Sequence, residues 1–134
     1  MQIEIGRKLY DIYFGIDALA TLNRNYQLMA EGMNTNEVLG EGLNFLYFGL
    51  EALNPVAIKN FIVAGTSTLR SKPSNVGIDE FVVELIEKDK IEDFCKECMD
   101  FLEAAPLTKK KLQEVKKALE EEKKELEKAE KKKA

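Results

Sequence analysis

The first fourteen residues alternate. Ile3 and Ile5 fall on one side of a short strand, Gly6 and Arg7 interrupt it, and Tyr10, Ile12 and Phe14 resume with a period of two. That alternation predicts a β-hairpin over residues 2 to 14. A glycine at the first of two loop positions predicts a type II′ turn, whose first central residue takes a positive φ. A two-stranded ribbon is marginal in water, so the face bearing Ile3, Ile5, Ile12 and Phe14 must cover helices or pair with another chain. After Gly15 the period becomes helical. Leu19, Leu22 and Tyr26 recur at spacings of three and four, predicting a helix from about Ala18 to Met29 with Asp17 as its cap and Asn23, Arg24 and Gln27 on the polar side.

Residues 31 to 41 hold Gly32, Asn34, Asn36 and Gly40 and read as a loop, with Asn34 and Glu37 spaced as a capping box. Helix resumes near Gly42. From Leu43 to Leu53 the apolar residues cannot share one stripe at 100° per residue, which predicts a helix buried on several sides. Asn54-Pro55 ends it, with Pro55 suited to the first position of the next helix, where Val56, Ile58, Phe61, Ile62 and Val63 continue the apolar run. This helical hairpin is the predicted centre of the fold. Ser71 to Gly77, with Pro73, reads as a second loop, followed by helices from about Asp79 to Glu87 and from Ile91 to Ala104. Pro106 is expected to close the compact part. Leu112, Val115, Leu119, Leu126 and Ala129 then mark a terminal helix rich in Lys and Glu. Glu122 interrupts its apolar seam, so a solvated helix with a frayed end is expected there rather than a coiled coil. The predicted architecture is therefore α+β and predominantly helical: a hairpin and compact helical bundle over 1–106, then a charged helical tail over 107–134.

With 134 residues, 45% hydrophobic and 33% charged, the chain suits one domain with a core of its own. No run approaches the roughly 18 to 20 apolar residues of a membrane span, and the alternating start lacks a signal-peptide core, so a soluble, unexported protein is expected. The net charge of -4 hides an asymmetry. Residues 1–106 hold 9 Lys+Arg against 17 Asp+Glu, or -8, while residues 107–134 hold 11 against 7, or +4. An acidic body disfavours nucleic acid and anionic lipid and points to protein partners.

Histidine is absent, which removes the usual general base, the Ser-His and Cys-His dyads and the commonest metal ligand. Cys95-Lys-Glu-Cys98 has a redox spacing but lies within a predicted helix, among Glu92, Asp93, Glu97 and Asp100, whose charges disfavour a thiolate. Two thiols without histidine also leave a zinc site incomplete, so core or surface thiols in a reducing cytoplasm are expected. There is no GxxxxGK loop, and the Gly40-Glu41-Gly42 pair does not extend to a dinucleotide fingerprint. Basic runs at Lys109 to Lys111 and Lys131 to Lys133 have no aromatic residue beyond Phe101 to stack on a base. No catalytic residue, metal or cofactor is predicted. Surplus apolar surface around residues 43 to 65 points instead to association, with Phe45, Phe48, Leu50, Phe61, Ile62, Ile12 and Phe14 as candidates for core, partner contact or a homo-oligomer interface.

The order of these segments resembles the tail assembly chaperones of long-tailed phages and prophages of Gram-positive bacteria. The shared features are the ribbon ending in Tyr13-Phe14-Gly15, the following Leu19, Leu22, Asn23 and Tyr26, and the Leu53-Asn54-Pro55-Val56-Ala57 joint. The Lys72-Pro73-Ser74 loop and the Pro106-Leu107-Thr108-Lys109-Lys110 junction complete the likeness, while the Cys pair is no part of it. The resemblance implies a nonenzymatic protein of the host cytoplasm that coats the tape measure protein, keeps it soluble and recruits the major tail tube protein. It also implies that a frameshift near the Lys131 to Lys133 run can append a second domain. The competing expectation is a small acidic regulatory or antitoxin-like module, against which stands the lack of a basic helix-turn-helix.

Overall fold

Two strands, β1 (Gln2–Ile5) and β2 (Lys8–Asp11), pair antiparallel with Ile3 opposite Tyr10 and Ile5 opposite Lys8. The computed structural model describes residues 1–27 and 42–133. Both loop residues have positive φ, +58° at Gly6 and +68° at Arg7, so the turn is type I′ and not the type II′ expected from the glycine alone. A two-residue link between right-twisted strands favours either primed turn, and the choice rests on Arg7, a residue with no local preference for the left-handed region. Ile3, Ile5, Tyr10, Ile12 and Phe14 are buried against helices of the same chain.

The helices among the described residues are α1 (Ile16–Gln27), α2 (Gly42–Glu51), α3 (Pro55–Gly65), α4 (Asn75–Glu87), α5 (Ile91–Ala104) and α6 (Pro106–Lys133). The molecule is thus α+β and mainly helical, an amino-terminal hairpin followed by a helical bundle. α1 begins earlier than Ala18, because the Gly15 carbonyl already accepts the Leu19 N–H at 3.2 Å. Asp17 therefore sits inside the first turn, where its charge complements the helix dipole without capping it. Leu28, Met29, the predicted loop at 31–41 and its Asn34–Glu37 box lie outside the described residues.

The α2–α3 joint is built as its residues dictate. Leu53 takes a left-handed φ of +57°, the Asn54 N–H donates to the Gly49 carbonyl at 2.8 Å, and the Leu53 N–H donates to the Leu50 carbonyl at 3.1 Å. That is a Schellman ending with leucine where glycine is usual. Asn54 then caps α3 by accepting the Val56 N–H at 2.9 Å, and Pro55 takes the first helical position. The helices cross closely: a Cβ on Gly49 would lie 2.5 Å from the Ala57 methyl.

α4 starts at Asn75 rather than near Asp79, since the Ser74 hydroxyl accepts the Gly77 N–H at 3.0 Å and caps the helix. The predicted Ser71 to Gly77 loop is shorter by that turn. α5 has the predicted bounds. At its end Ala105 is extended, as a residue before proline must be, and Pro106 opens α6. The buried Thr108 hydroxyl donates to the Leu102 carbonyl, satisfying an acceptor at the end of α5. Thr108 and Leu112 are both buried, so the opening turns of α6 lie on the core.

An aromatic cluster ties the layers together. Phe14 stacks on Phe61 at 5.1 Å, and Phe101 meets both rings edge-on at 6.1 Å. β2 ends at Asp11, short of the predicted Phe14, and the link that follows is thereby locked to α3 and α5, with the Tyr13 N–H adding a hydrogen bond to the Gly65 carbonyl at 2.9 Å.

Candidate functional site

Five of the seven apolar candidates lie in the core of the single chain: Leu50, Phe61, Ile62, Ile12 and Phe14 are all 5% exposed or less. Phe45 and Phe48 do not. Each is 39% exposed, and they stand three residues apart on one side of α2. α2 packs on α1, α3, α5 and α6, which cover Leu43, Leu46, Tyr47 and Leu50. The remaining arc is open, so the helix expected to be buried on several sides keeps one aromatic face at the surface.

That face is braced from beneath. Phe45 stacks on Tyr26 of α1 with ring centroids 5.5 Å apart and planes 21° from parallel. Tyr26 is itself buried, which pushes its phenol pKa upward, partly offset by a hydrogen bond with Asn60. Asn44, four residues before Phe48 and so beside it on the helix, keeps a buried Oδ1 without a donor among the described residues. A half-exposed aromatic pair on a braced helix is a surface that gains by being covered.

On the opposite flank of α2, the Tyr47 hydroxyl donates to Glu103 of α5 at 3.0 Å, and Lys116 of α6 pairs with the same carboxylate. The ammonium lies 6.0 Å from the Tyr47 ring centroid. Lys116 and then Tyr47 hold the Glu103 carboxyl below the usual range against the opposing effect of burial, and Glu103 raises Lys116 in turn. Burial first, and the Glu103 hydrogen bond second, raise Tyr47. This trio is a structural clasp between α2, α5 and α6.

Cys95 and Cys98 are free and fully buried. Burial pushes the Cys95 thiol up to about 11 and Cys98 higher still, the latter aided by Cys95 and Glu97. They act as small core residues. Among the described residues no group of three His, Cys, Asp or Glu side chains is placed to hold a metal ion. Nor is any described helix long and apolar enough to cross a membrane.

A second apolar surface is one that the sequence pattern did not single out. Val76 and Val83 of α4 are 67% and 51% exposed, on the side away from the buried Ile78 and Val82, and Ile86, one turn beyond Val82, is 50% exposed. A helical wheel separates Val76 and Val83 from Ile78 and Val82, and that signal emerges once the start of α4 is placed at Asn75.

Neither the exposed phenylalanines nor the α4 face carries catalytic chemistry, and both suit protein contact. No curated protein and no solved structure matches the chain. The sequence model of a family described as phage tail assembly chaperone protein matches residues 2–117, which takes in the hairpin, every described helix up to α5 and the seated part of α6. Given that extent, the chain belongs to the phage tail assembly chaperone family.

Proposed function

We propose that this chaperone binds the tape measure protein in the cytoplasm of the bacterial host, keeps it soluble, and helps bring the major tail tube protein to it. Membership of the family supports an assembly role without catalysis. The observation that carries the reading is the Phe45–Phe48 face, half-exposed and braced by Tyr26. A long tape measure helix exposes apolar residues until the tube encloses it, and an aromatic face on an acidic carrier covers such a helix while keeping the complex dispersed. In this reading residues 1–106 and the opening turns of α6 form the binding body, and the remainder of 107–134 is a charged extension.

Coexpression with the tape measure protein tests this directly. The wild-type chain should raise the soluble fraction of tape measure protein, and Phe45→Asp with Phe48→Asp should abolish that effect while circular dichroism shows the fold intact. Contact dominated by apolar burial should persist at about 0.5 M salt, where screening has shortened the Debye length well below its roughly 10 Å value at 0.1 M. A tape measure protein that stays equally insoluble with and without the wild-type chain overturns the proposal.

A further inference from the structure

The outward face of α1 carries Asp17, Thr21 and Arg24 at spacings of four and three. α1 and α3 run antiparallel, tied by the Asn25–Asn60 side-chain hydrogen bond at 3.5 Å toward one end and by the Tyr13 N–H on the Gly65 carbonyl at 2.9 Å at the other. The loop after α3 therefore returns beside the start of α1. Between them lies an open cleft of about 530 Å³, and Ser67, Thr68 and Lys72 complete its polar wall. That volume falls within the roughly 300 to 1,000 Å³ of ligand sites, but the setting is unlike a pocket for a small apolar molecule. Ala20 and Val63 are the only aliphatic side chains in the described lining, and no aromatic one is present.

In a body of net charge -8 the cleft gathers two of only nine basic residues. Neither Arg24 nor Lys72 has an ion pair among the described residues, whereas Lys59, Lys88 and Lys116 each hold a carboxylate. Arg24 is held along the wall. Its Nη2 donates to the Thr21 hydroxyl at 3.3 Å, and that hydroxyl donates to the Asp17 carbonyl at 2.9 Å. One N–H of the guanidinium is thereby used, and four remain for a ligand. Against Arg24 and Lys72 stands Asp17 alone, so the described lining keeps one net positive charge. Asp17 lies seven residues, about 10.5 Å, before Arg24 along the helix. The carboxyl end of α3, the negative pole of that helix, lies at the Asp17 end too, so the cleft favours an anion at its Arg24 end and one of low charge.

We propose that this cleft binds a carboxylate side chain of an acidic peptide segment on a partner protein. Arg24 receives the carboxylate through two parallel N–H donors, and Lys72 supplies the second positive charge. The Thr68 hydroxyl, exposed in the same wall, meets the peptide main chain. A single carboxylate matches the one net charge of the lining, whereas a phosphate dianion exceeds it. The open and polar setting suits an extended chain passing along the surface rather than an enclosed small molecule. Tyr26, which braces the Phe45–Phe48 face, lies about 140° to 160° around α1 from Thr21 and Arg24, so the two surfaces are separate and can be occupied together. Contact here is electrostatic, and unlike apolar contact it weakens with salt.

Chemical-shift mapping by NMR on the full chain, titrated with blocked pentapeptides to roughly 10 mM, reads the binding. Acetyl-Gly-Gly-Glu-Gly-Gly-amide should shift the signals of Thr21, Arg24, Thr68 and Lys72 in a saturable way. The same peptide with Gln in place of Glu should bind roughly tenfold more weakly, as loss of charge-assisted hydrogen bonds does. Arg24→Gln with Lys72→Gln, both at exposed positions, should abolish the shifts, and Asp17→Asn should strengthen binding by removing the like charge. Raising salt from about 0.05 to 0.5 M should weaken it several-fold. Acetate and inorganic phosphate distinguish the sources of the anion, and each should bind more weakly than the Glu peptide. Equal binding of the Glu and Gln peptides overturns the proposal. So do shifts that persist in the double variant, tighter binding of acetate or phosphate, or no shift at the cleft. None of these outcomes involves the tape measure protein, Phe45 or Phe48, so the coexpression test of that face stands or fails independently.

Discussion

α2 and α3 are joined by three residues and are similarly rich in apolar side chains, yet the molecule treats them differently. α3 buries Phe61, Ile58 and Ile62 completely, because its apolar side is enclosed by the hairpin, α1, α2 and α4. α2 buries its leucines as thoroughly but leaves Phe45 and Phe48 at the surface. The difference is one of neighbours rather than composition. A phenylalanine is core or contact surface according to whether another element stands opposite it, and hydrophobicity alone does not report that.

The sharpest break in this comparison is a pair of identical substitutions. Phe61→Ala, which empties the centre of the cluster with Phe14 and Phe101, should cost about 3 to 5 kcal/mol in urea unfolding. Phe48→Ala should cost well under half of that, since its ring is already 39% exposed. Equal losses would mean that α2 is enclosed in solution.

The same contrast recurs along α6. Leu112→Ala should destabilise by about 2 to 5 kcal/mol and Leu126→Ala by less than about 0.5 kcal/mol in the dilute monomer, although both are leucines of one stripe on one helix. Truncation after Pro106 should therefore lower the melting temperature markedly, because it removes Leu112 and Thr108 from the core. Next in size is the α2–α3 crossing itself. Gly49→Ala forces a methyl against that of Ala57 and should cost roughly 1 to 3 kcal/mol by prising the two helices apart.

The smallest effect concerns the clasp on the covered side of α2. Glu103→Gln should cost no more than about 1 kcal/mol at neutral pH, as befits a partly exposed ion pair. The folded carboxyl titrates below its unfolded value, so its contribution is present above the ordinary carboxylate range and is lost as pH falls through the folded value. The wild-type chain and the Glu103→Gln variant should converge in stability on acidification. A gap that widens in acid would contradict the assignment.

Local rules make much of this molecule legible. Alternation through Ile3, Ile5, Ile12 and Phe14 marks the hairpin and its buried face, Asn54-Pro55 marks the central joint, and the acidic setting of Cys95 and Cys98 marks them as inert. The departures are also local in origin. The turn type hinges on Arg7 adopting a left-handed conformation that strand twist imposes, and the start of α4 on a serine cap whose partner lies three residues ahead. Those are contests between near-equal local options, decided by small energies from elsewhere in the fold.

What the sequence determined by itself is the succession of elements, because period, caps and proline act over a few residues and their preferences add. It also determined the charge division between body and tail. Only the tertiary structure decided which apolar residues are core and which face solvent. Phe45, Phe48, Val76, Val83 and Leu126 look in sequence like Leu50, Phe61, Ile78 and Leu112, and they differ in what lies across from them. Burial depends on residues distant along the chain, and no periodicity within one helix encodes its neighbours.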